Sequence, residues 1–236
     1  MHEVSAVETA LHGLRTLIAD GSLQPGDRMP SEGELSERLG VSRGSIREAI
    51  RTLSALGVVE TRRGAGTYVG ELRAADMIQT LSLTVGLLPL ESILELYELR
   101  RVLEAHAVAL SAARCDDATL ARLGGLLDRL EASEDVDEQS ALDHEFHMGI
   151  VRLCGNDSLG ALVSVLRSRS RAYPVLTPET KRVSDAGHRA ILRALTARDP
   201  VAASVAAAAH VTQSEVWLRE VRPAPEAVSQ APEAVS

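Results

Sequence analysis

Near the start of the chain, apolar positions recur at helical spacing twice in close succession. Leu35 and Leu39 lie four apart behind a helix start at Ser31, whose side chain can close a capping box with Glu34. Pro30 precedes that start, and Gly40, which tolerates positive φ, ends the helix. Ser42 opens a second helix at once, with Ile46, Ile50 and Leu53 on its apolar stripe and an end near Ala55. Two short helices joined by a Gly-Val turn have the spacing of a helix-turn-helix. After Gly57 the period changes. Val58 to Thr61 and Thr67 to Val69 are short β-rich runs around Arg62-Arg63-Gly64-Ala65-Gly66, the pattern of a hairpin wing.

The polar stripe of the second helix is Arg43, Ser45, Arg47 and Arg51, with the three arginines four residues apart on one face. Together with the Ser42 cap, such a face presents guanidinium forks to guanine edges or phosphates in a major groove. At the wing tip, Arg63, Gly64 and Gly66 suit phosphate or minor-groove contact. A basic helix alone is as often a solvated face; the attached wing favours DNA.

Beyond Val69 strand-like alternation stops and helical periodicity takes over. A linking helix is expected from Leu72 to about Leu83, broken by Gly86 to Pro89. Further helices are expected over Glu91 to Ala113, Asp117 to about Ala132 with Asp117 as cap, Ser140 to Leu153, Ser158 to Tyr173, Glu179 to Ala197, and Ala202 to about Val221. Glu134 to Glu138 reads as an acidic loop. Seven helical runs with short connections predict an all-α bundle. The fold class is therefore mostly α, a winged helix-turn-helix over residues 1–70 followed by a helical bundle over 71–222. The tail, 223–236, repeats APEAVS and has too little apolar surface to fold.

Charge sharpens this division. The net −8 is uneven: residues 1–70 carry 8 basic and 9 acidic side chains, so most of the excess lies in the remainder. Within 42–63, Arg43, Arg47, Arg51, Arg62 and Arg63 face only Glu48 and Glu60. DNA contact is thus expected on a small, salt-sensitive surface. Cys115 and Cys154 are lone thiols in apolar helical contexts, which predicts a reducing cytoplasm rather than a disulfide framework. No leader-like start and no apolar run of membrane length is present, so no membrane association is expected.

Within the bundle the candidate chemistry begins at Asp143-His144-Glu145-Phe146-His147. Asp143 and His147, at i and i+4, share a helical face, a spacing that two metal ligands on one helix can use. His188 and His210 follow on later helices, on stripes with Ile191, Leu192 and Leu195, and with Val205, Val211 and Val216. One carboxylate and three imidazoles suit Zn²⁺, with Ni²⁺ or Mn²⁺ as alternatives. Taken singly, each histidine is as readily a hydrogen-bonded core residue. His144 stands about 100° around the helix from Asp143 and is expected at the surface.

Two stretches resemble known families. Leu11 to Gly70 is similar to the GntR superfamily DNA-binding domain, through Gly21, Pro25-Gly26-Asp27, Pro30-Ser31-Glu32, Glu34-Leu35, Gly40-Val41-Ser42-Arg43, Arg47-Glu48-Ala49 and Gly64-x-Gly66. Gly33 and Gly44 depart from it, since the family usually has a basic residue at the first and often Thr at the second. The resemblance therefore implies DNA binding with an altered operator preference. From about Leu72 to Val221 the chain resembles the FCD ligand-binding domain of the FadR-type branch. That similarity rests on Glu98-Leu99-Arg100 with Leu103-Glu104, Asp143-x-x-Phe146-His147-x-x-Ile150, Gly155-Asn156, His188-Arg189-Ala190-Ile191 and His210. It implies a metal held by Asp143, His147, His188 and His210, a cavity for a small organic acid, and a homodimer. By the same resemblance Arg100 pairs with the acid's carboxylate, with a salt bridge to Glu104 as the alternative, and Asn156 is a further ligand candidate.

The expectation is a transcription regulator, a repressor that binds operator DNA as a two-fold dimer and senses an organic acid. The alternative is a metal-dependent hydrolase. Against it, four protein ligands resemble a holding site more than an open catalytic one, and no general base is evident.

Overall fold

The computed structural model describes residues 5–168 and 177–220. Helix α1, Ala6–Ala19, starts at a capping box between Ser5 and Glu8. The pattern reading did not single it out, although Ala10, Leu14 and Leu17 form its buried stripe. Helix α2, Glu32–Leu39, begins as the sequence predicts. Ser31 Oγ accepts from Glu34 N–H at 3.3 Å, and Glu34 Oε2 accepts from Ser31 N–H at 2.8 Å. Gly40 closes it at φ 68°, a left-handed conformation that a side chain would strain. Helix α3, Arg43–Ala55, runs from Ser42, and Ile46, Ala49 and Leu53 bury against α1.

Strands β1, Val59–Arg62, and β2, Gly66–Val69, pair antiparallel from Val59 opposite Val69 to Arg62 opposite Gly66. The three-residue tip closes with Ala65 N–H donating to Arg62 C=O at 3.0 Å. The far edge of β2 is covered by the preceding loop, where Met29 N–H donates to Thr67 C=O and Val69 N–H to Asp27 C=O. Leu14, Leu35, Ile46, Leu53, Val59 and Val69 fill one core, each at most 1% exposed. Fully burying one such side chain stabilises by about 1.5–3 kcal/mol, so this cluster is the main source of the head's cohesion.

The expected single linking helix is two short ones, α4, Ala74–Gln79, and α5, Ser82–Val85. The hydroxyls explain the break. Thr80, Ser82 and Thr84 each donate to the carbonyl three residues back, at 2.7, 2.7 and 3.0 Å, and tighten the backbone away from α geometry. Leu72, at φ 52°, delays the helix start and packs against the first core.

Next come α6, Leu90–Ala112; α7, Asp117–Ala132; α8, Val136–Val151; a 3₁₀ turn, Arg152–Cys154; α9, Asp157–Ser168; α10, Pro178–Thr196; and α11, Pro200–Glu220. Asp116, not Asp117, caps α7 by accepting from Thr119 N–H at 2.8 Å. Helix α8 begins inside the expected acidic loop. Asp135 accepts from Glu138 N–H at 2.7 Å, and Asp137 and Glu138 suit the positive end of the helix dipole. The end of the expected Ser158 to Tyr173 helix and the tail from 223 lie outside the described residues.

Backbone proximity forms two units, one of residues up to Gly86 with Asp157–Val165, the other of Leu87–Asn156 and the described residues from Leu166 onward. The sequence pattern puts the change from winged helix to bundle at residue 70. In the second unit Phe146, Leu123, Leu127, Ile150, Ile191 and Leu195 form the core, and α6 packs along α11. The architecture is mostly helical, with one two-stranded sheet among the described residues.

Candidate metal centre and nucleic-acid interface

The reading face lies on α3 and the hairpin. Ser42 Oγ accepts from Ser45 N–H at 3.1 Å and lies 2.9 Å from Ser45 Oγ. Ser45 is buried, so its hydroxyl serves the helix start rather than an outward stripe. Arg43, Arg47 and Arg51 are exposed on one face. Arg51 reaches Glu48 at 3.3 Å, while Arg47 makes a closer pair with Glu32 at 2.7 Å. On the wing, the Arg62 guanidinium stacks over the Tyr68 ring at 4.5 Å, Arg63 is exposed at the tip beside Gly64, and Arg28 reaches Gly66. Gly66 is needed there twice: its φ is 110°, and a Cβ would stand 3.1 Å from Arg28 Nε.

In the second unit Asp143, His147, His188 and His210 converge, each offering a ligand atom within 4.8 Å of the others. Helix α8 supplies the first two, α10 the third and α11 the fourth. The i to i+4 spacing on α8 works as predicted because Phe146, fully buried beside them, fixes the roll of the helix. On α11 the environment differs from the expected valine stripe. Val205 and Val216 are exposed, and the buried stripe runs through Ala203, Ala207, His210, Val211 and Leu218.

The ligand atoms have metal-like spacing. His147 Nε2 and His188 Nε2 are 3.1 Å apart, His188 Nε2 and Asp143 Oδ1 3.1 Å, and His147 Nε2 and Asp143 Oδ1 3.6 Å. Tetrahedral coordination with bonds near 2.0–2.1 Å puts ligand atoms about 3.3 Å apart. His188 turns its Nε2 to the cluster, and its Nδ1, like that of His210, is buried without a hydrogen-bond partner among the described residues. The donor set thus fits a borderline divalent ion.

Arg167 on α9 was not visible as a site residue in the sequence. It donates from Nη1 to Glu104 at 2.9 Å and from Nη2 to Asp143 at 2.7 Å. Glu104 also accepts from Arg100 Nε at 2.7 Å. Arg100, Glu104 and Arg167 are all buried, so the Arg100 salt bridge that the sequence left as an alternative is present. Arg100 and Arg167 also line a cavity of about 730 Å³, with Asp143, His188 and His210 on its wall. His144 lines it too and is half-buried rather than at the surface. Asn156 is exposed in the turn before α9 and is not among the residues lining the cavity, which removes the geometric basis for its expected role.

Burial pushes the Asp143 carboxyl upward, but the charge of Arg167 and hydrogen bonds from His147 and His188 hold it well below the usual range. Burial likewise opposes the Glu104 charge, yet Arg100 and Arg167 bring that carboxyl down to about 2. Burial and Arg167 lower His147 to about 4, and burial beside His188 and His147 lowers His210 well below its ordinary value. Neutral imidazoles and an ionised carboxylate are the forms that bind metal.

Comparison with known proteins places these features. Residues 6–69 match the model for bacterial regulatory proteins of the gntR family, and residues 95–213 match the FCD domain. The chain is 31% identical over 210 residues to the HTH-type transcriptional regulator LutR of Bacillus subtilis, covering 84% of this chain and 94% of that protein. It is 29% identical to the Glc operon transcriptional activator of Escherichia coli K12, covering 91% and 89%. It is 30% identical to that organism's putative L-lactate dehydrogenase operon regulatory protein, covering 84% and 81%. The solved structure named Streptococcus agalactiae GntR superposes with a TM-score of 0.55 at 27% identity, covering 89% of this chain and 99% of that one. Relatives named as regulators give the metallohydrolase alternative no support. With a winged helix-turn-helix followed by an FCD domain, the chain belongs to the GntR family of ligand-sensing, DNA-binding transcription regulators, which are not enzymes.

Proposed function

We propose that the helical unit senses a small organic acid in the cavity beside Asp143, His147, His188 and His210, and that these four residues hold a divalent ion. Zinc is the first candidate, nickel and manganese the alternatives. The observation that carries the reading is that two buried arginines share a cavity wall with three of the four metal-type donors, Asp143, His188 and His210. A bound ion would supply a positive centre for a carboxylate oxygen. Arg100 orients the acid, since a guanidinium matches a carboxylate in shape and charge. The name of one relative ties it to an L-lactate dehydrogenase operon, which makes a 2-hydroxy acid the first effector to try.

The chain acts as a cytoplasmic homodimer, a repressor on a near-palindromic operator, and the acid shifts the spacing of the two reading heads. The test is mass spectrometry of small acids released from gently purified protein, then gel-shift titration with each, L-lactate included. Release of operator by one acid, only in metal-loaded protein, supports the reading. If none of the released acids changes DNA affinity, the reading fails.

A further inference from the structure

The exposed pair between α2 and α3 is more ordered than a surface salt bridge requires. Arg47 Nε lies 3.0 and 3.2 Å from the two Glu32 oxygens, and Nη2 lies 2.7 Å from Oε2. Glu32 thus grips one edge of the guanidinium, the Nε–Nη2 side. Such a pair adds little stability with its partners 56% and 37% exposed. Its geometric effect is larger. A flexible arginine must give up rotamer freedom to meet a base, and this one is already held by its Nε–Nη2 edge, which leaves its Nη1–Nη2 end out of the pair on a side chain 56% exposed.

Beside it, Arg43 passes over Gly33, where a Cβ would stand 3.3 Å from Nη2 and 3.6 Å from Cζ. The first turn of α2 therefore shapes both arginines of the reading face: Gly33 by leaving room, Glu32 by holding.

We propose that Glu32 is a positioning residue for base reading, clamping the side edge of Arg47 so that its end edge meets a guanine. The two outward N–H groups match the O6 and N7 acceptors of that base. Glu32 also places a negative charge at the DNA-facing surface, which penalises phosphate contact in any register other than the one Arg47 specifies. The inference rests on α3 being the helix that reads the groove.

The experiment uses the full-length protein, a duplex selected by the native chain from a random pool, its single-base variants, and an unrelated duplex. Arg47→Ala identifies the base pair read by Arg47. Glu32→Gln, which keeps size and removes the charge, is expected to lower discrimination at that same base pair about tenfold, near the low end of what a bidentate contact supplies. It is also expected to raise affinity for the unrelated duplex about two- to threefold, because a repelling charge is gone. In an Arg47→Ala background, Glu32→Gln should leave base preference unchanged.

Unchanged discrimination in Glu32→Gln overturns the proposal, as does a loss at a different base pair or one that persists without Arg47. A lowered melting temperature with base preference intact would make Glu32 a helix-start residue only, and also overturns it. If Arg47→Ala itself leaves affinity and preference unchanged, the assignment of α3 as the reading helix falls as well.

Discussion

Arg167 Nη2 stands 2.7 Å from Asp143 Oδ2, so the carboxylate that faces His147 and His188 with one oxygen is held from behind by the other. Replacing Arg167 by Met removes that hold and half the compensation of Glu104. Breaking a buried ion pair typically costs 3–5 kcal/mol, and about 3 kcal/mol is expected here because Glu104 keeps Arg100. Metal affinity should fall about 10- to 100-fold, as for loss of an outer partner of a ligand. Urea unfolding and metal titration check the two effects; an unchanged affinity would mean that Asp143 needs no orienting partner.

His147→Ala removes one imidazole from the tetrad. The variant should retain little divalent metal, respond weakly to an organic acid and lose the stabilisation that metal binding gives. DNA affinity without effector should change little, since the head has its own core. Elemental analysis after loading with Zn²⁺, Ni²⁺ and Mn²⁺ in turn decides it. Equal contents in native and variant protein would return the four residues to ordinary core groups.

Gly187 offers a subtler probe. A Cβ there would lie 2.6 Å from His210 Nδ1, a ring atom that cannot bend aside like the end of a flexible chain. Gly187→Ala should therefore displace His210 and weaken metal binding, offsetting the roughly 1 kcal/mol that Ala gains over Gly in a helix. Gly125→Ala, with open space around its Cβ, should keep that gain and leave metal binding alone. Equal metal affinity in the two variants would separate His210 from the site.

Metal-free protein should lose stability in weak acid. Burial and Arg167 lower His147 from 6.5 to about 4, so between those values the unfolded chain binds a proton that the folded one refuses. Stability is then full above about pH 6.5, declines as pH falls and levels near pH 4, a loss of about 3 kcal/mol. His210 acts in the same direction. Below about pH 4.5 the depressed Glu104 adds its own loss, extending toward pH 2. Denaturant midpoints after chelator treatment, at pH 7 and pH 4.5, test this; equal midpoints would contradict it.

Arg63 at the wing tip should contribute charge without sequence preference. Arg63→Ala is expected to weaken binding to all duplexes alike and to reduce the salt slope by about one per reading head, so about two for the dimer. A loss confined to one operator sequence would instead give Arg63 a base to read.

Local chemistry was legible in the sequence; of the long-range pairing only the tetrad was, and that through family resemblance. Ser31 with Glu34, and Gly40, act within one helical turn, so spacing alone reveals them; for Asp143 and His147 spacing gives the shared face and the resemblance gives the ligand role. Arg167 finds Glu104 and Asp143 across 63 and 24 residues, and Arg47 finds Glu32 across 15, distances that no local period encodes. The break at Thr80 was missed for another reason. Hydroxyl groups competing for nearby carbonyls shift a helix without changing its apolar pattern. The expected stripe fails at Val205 because the first half of α11, Pro200 to Ala209, is apolar on nearly every side, which leaves periodicity little contrast to report.

The tetrad draws its members from α8 and from the consecutive pair α10 and α11, which lies well beyond it along the chain. An ion bound there would act as a reversible cross-link, closing long loops in much the way a disulfide does but in a chain whose two cysteines are unpaired. Cooperativity of the helical unit then becomes a function of metal supply: starved of the ion, these three helices should exchange their amide hydrogens sooner than α1 and α3, whose core owes nothing to it.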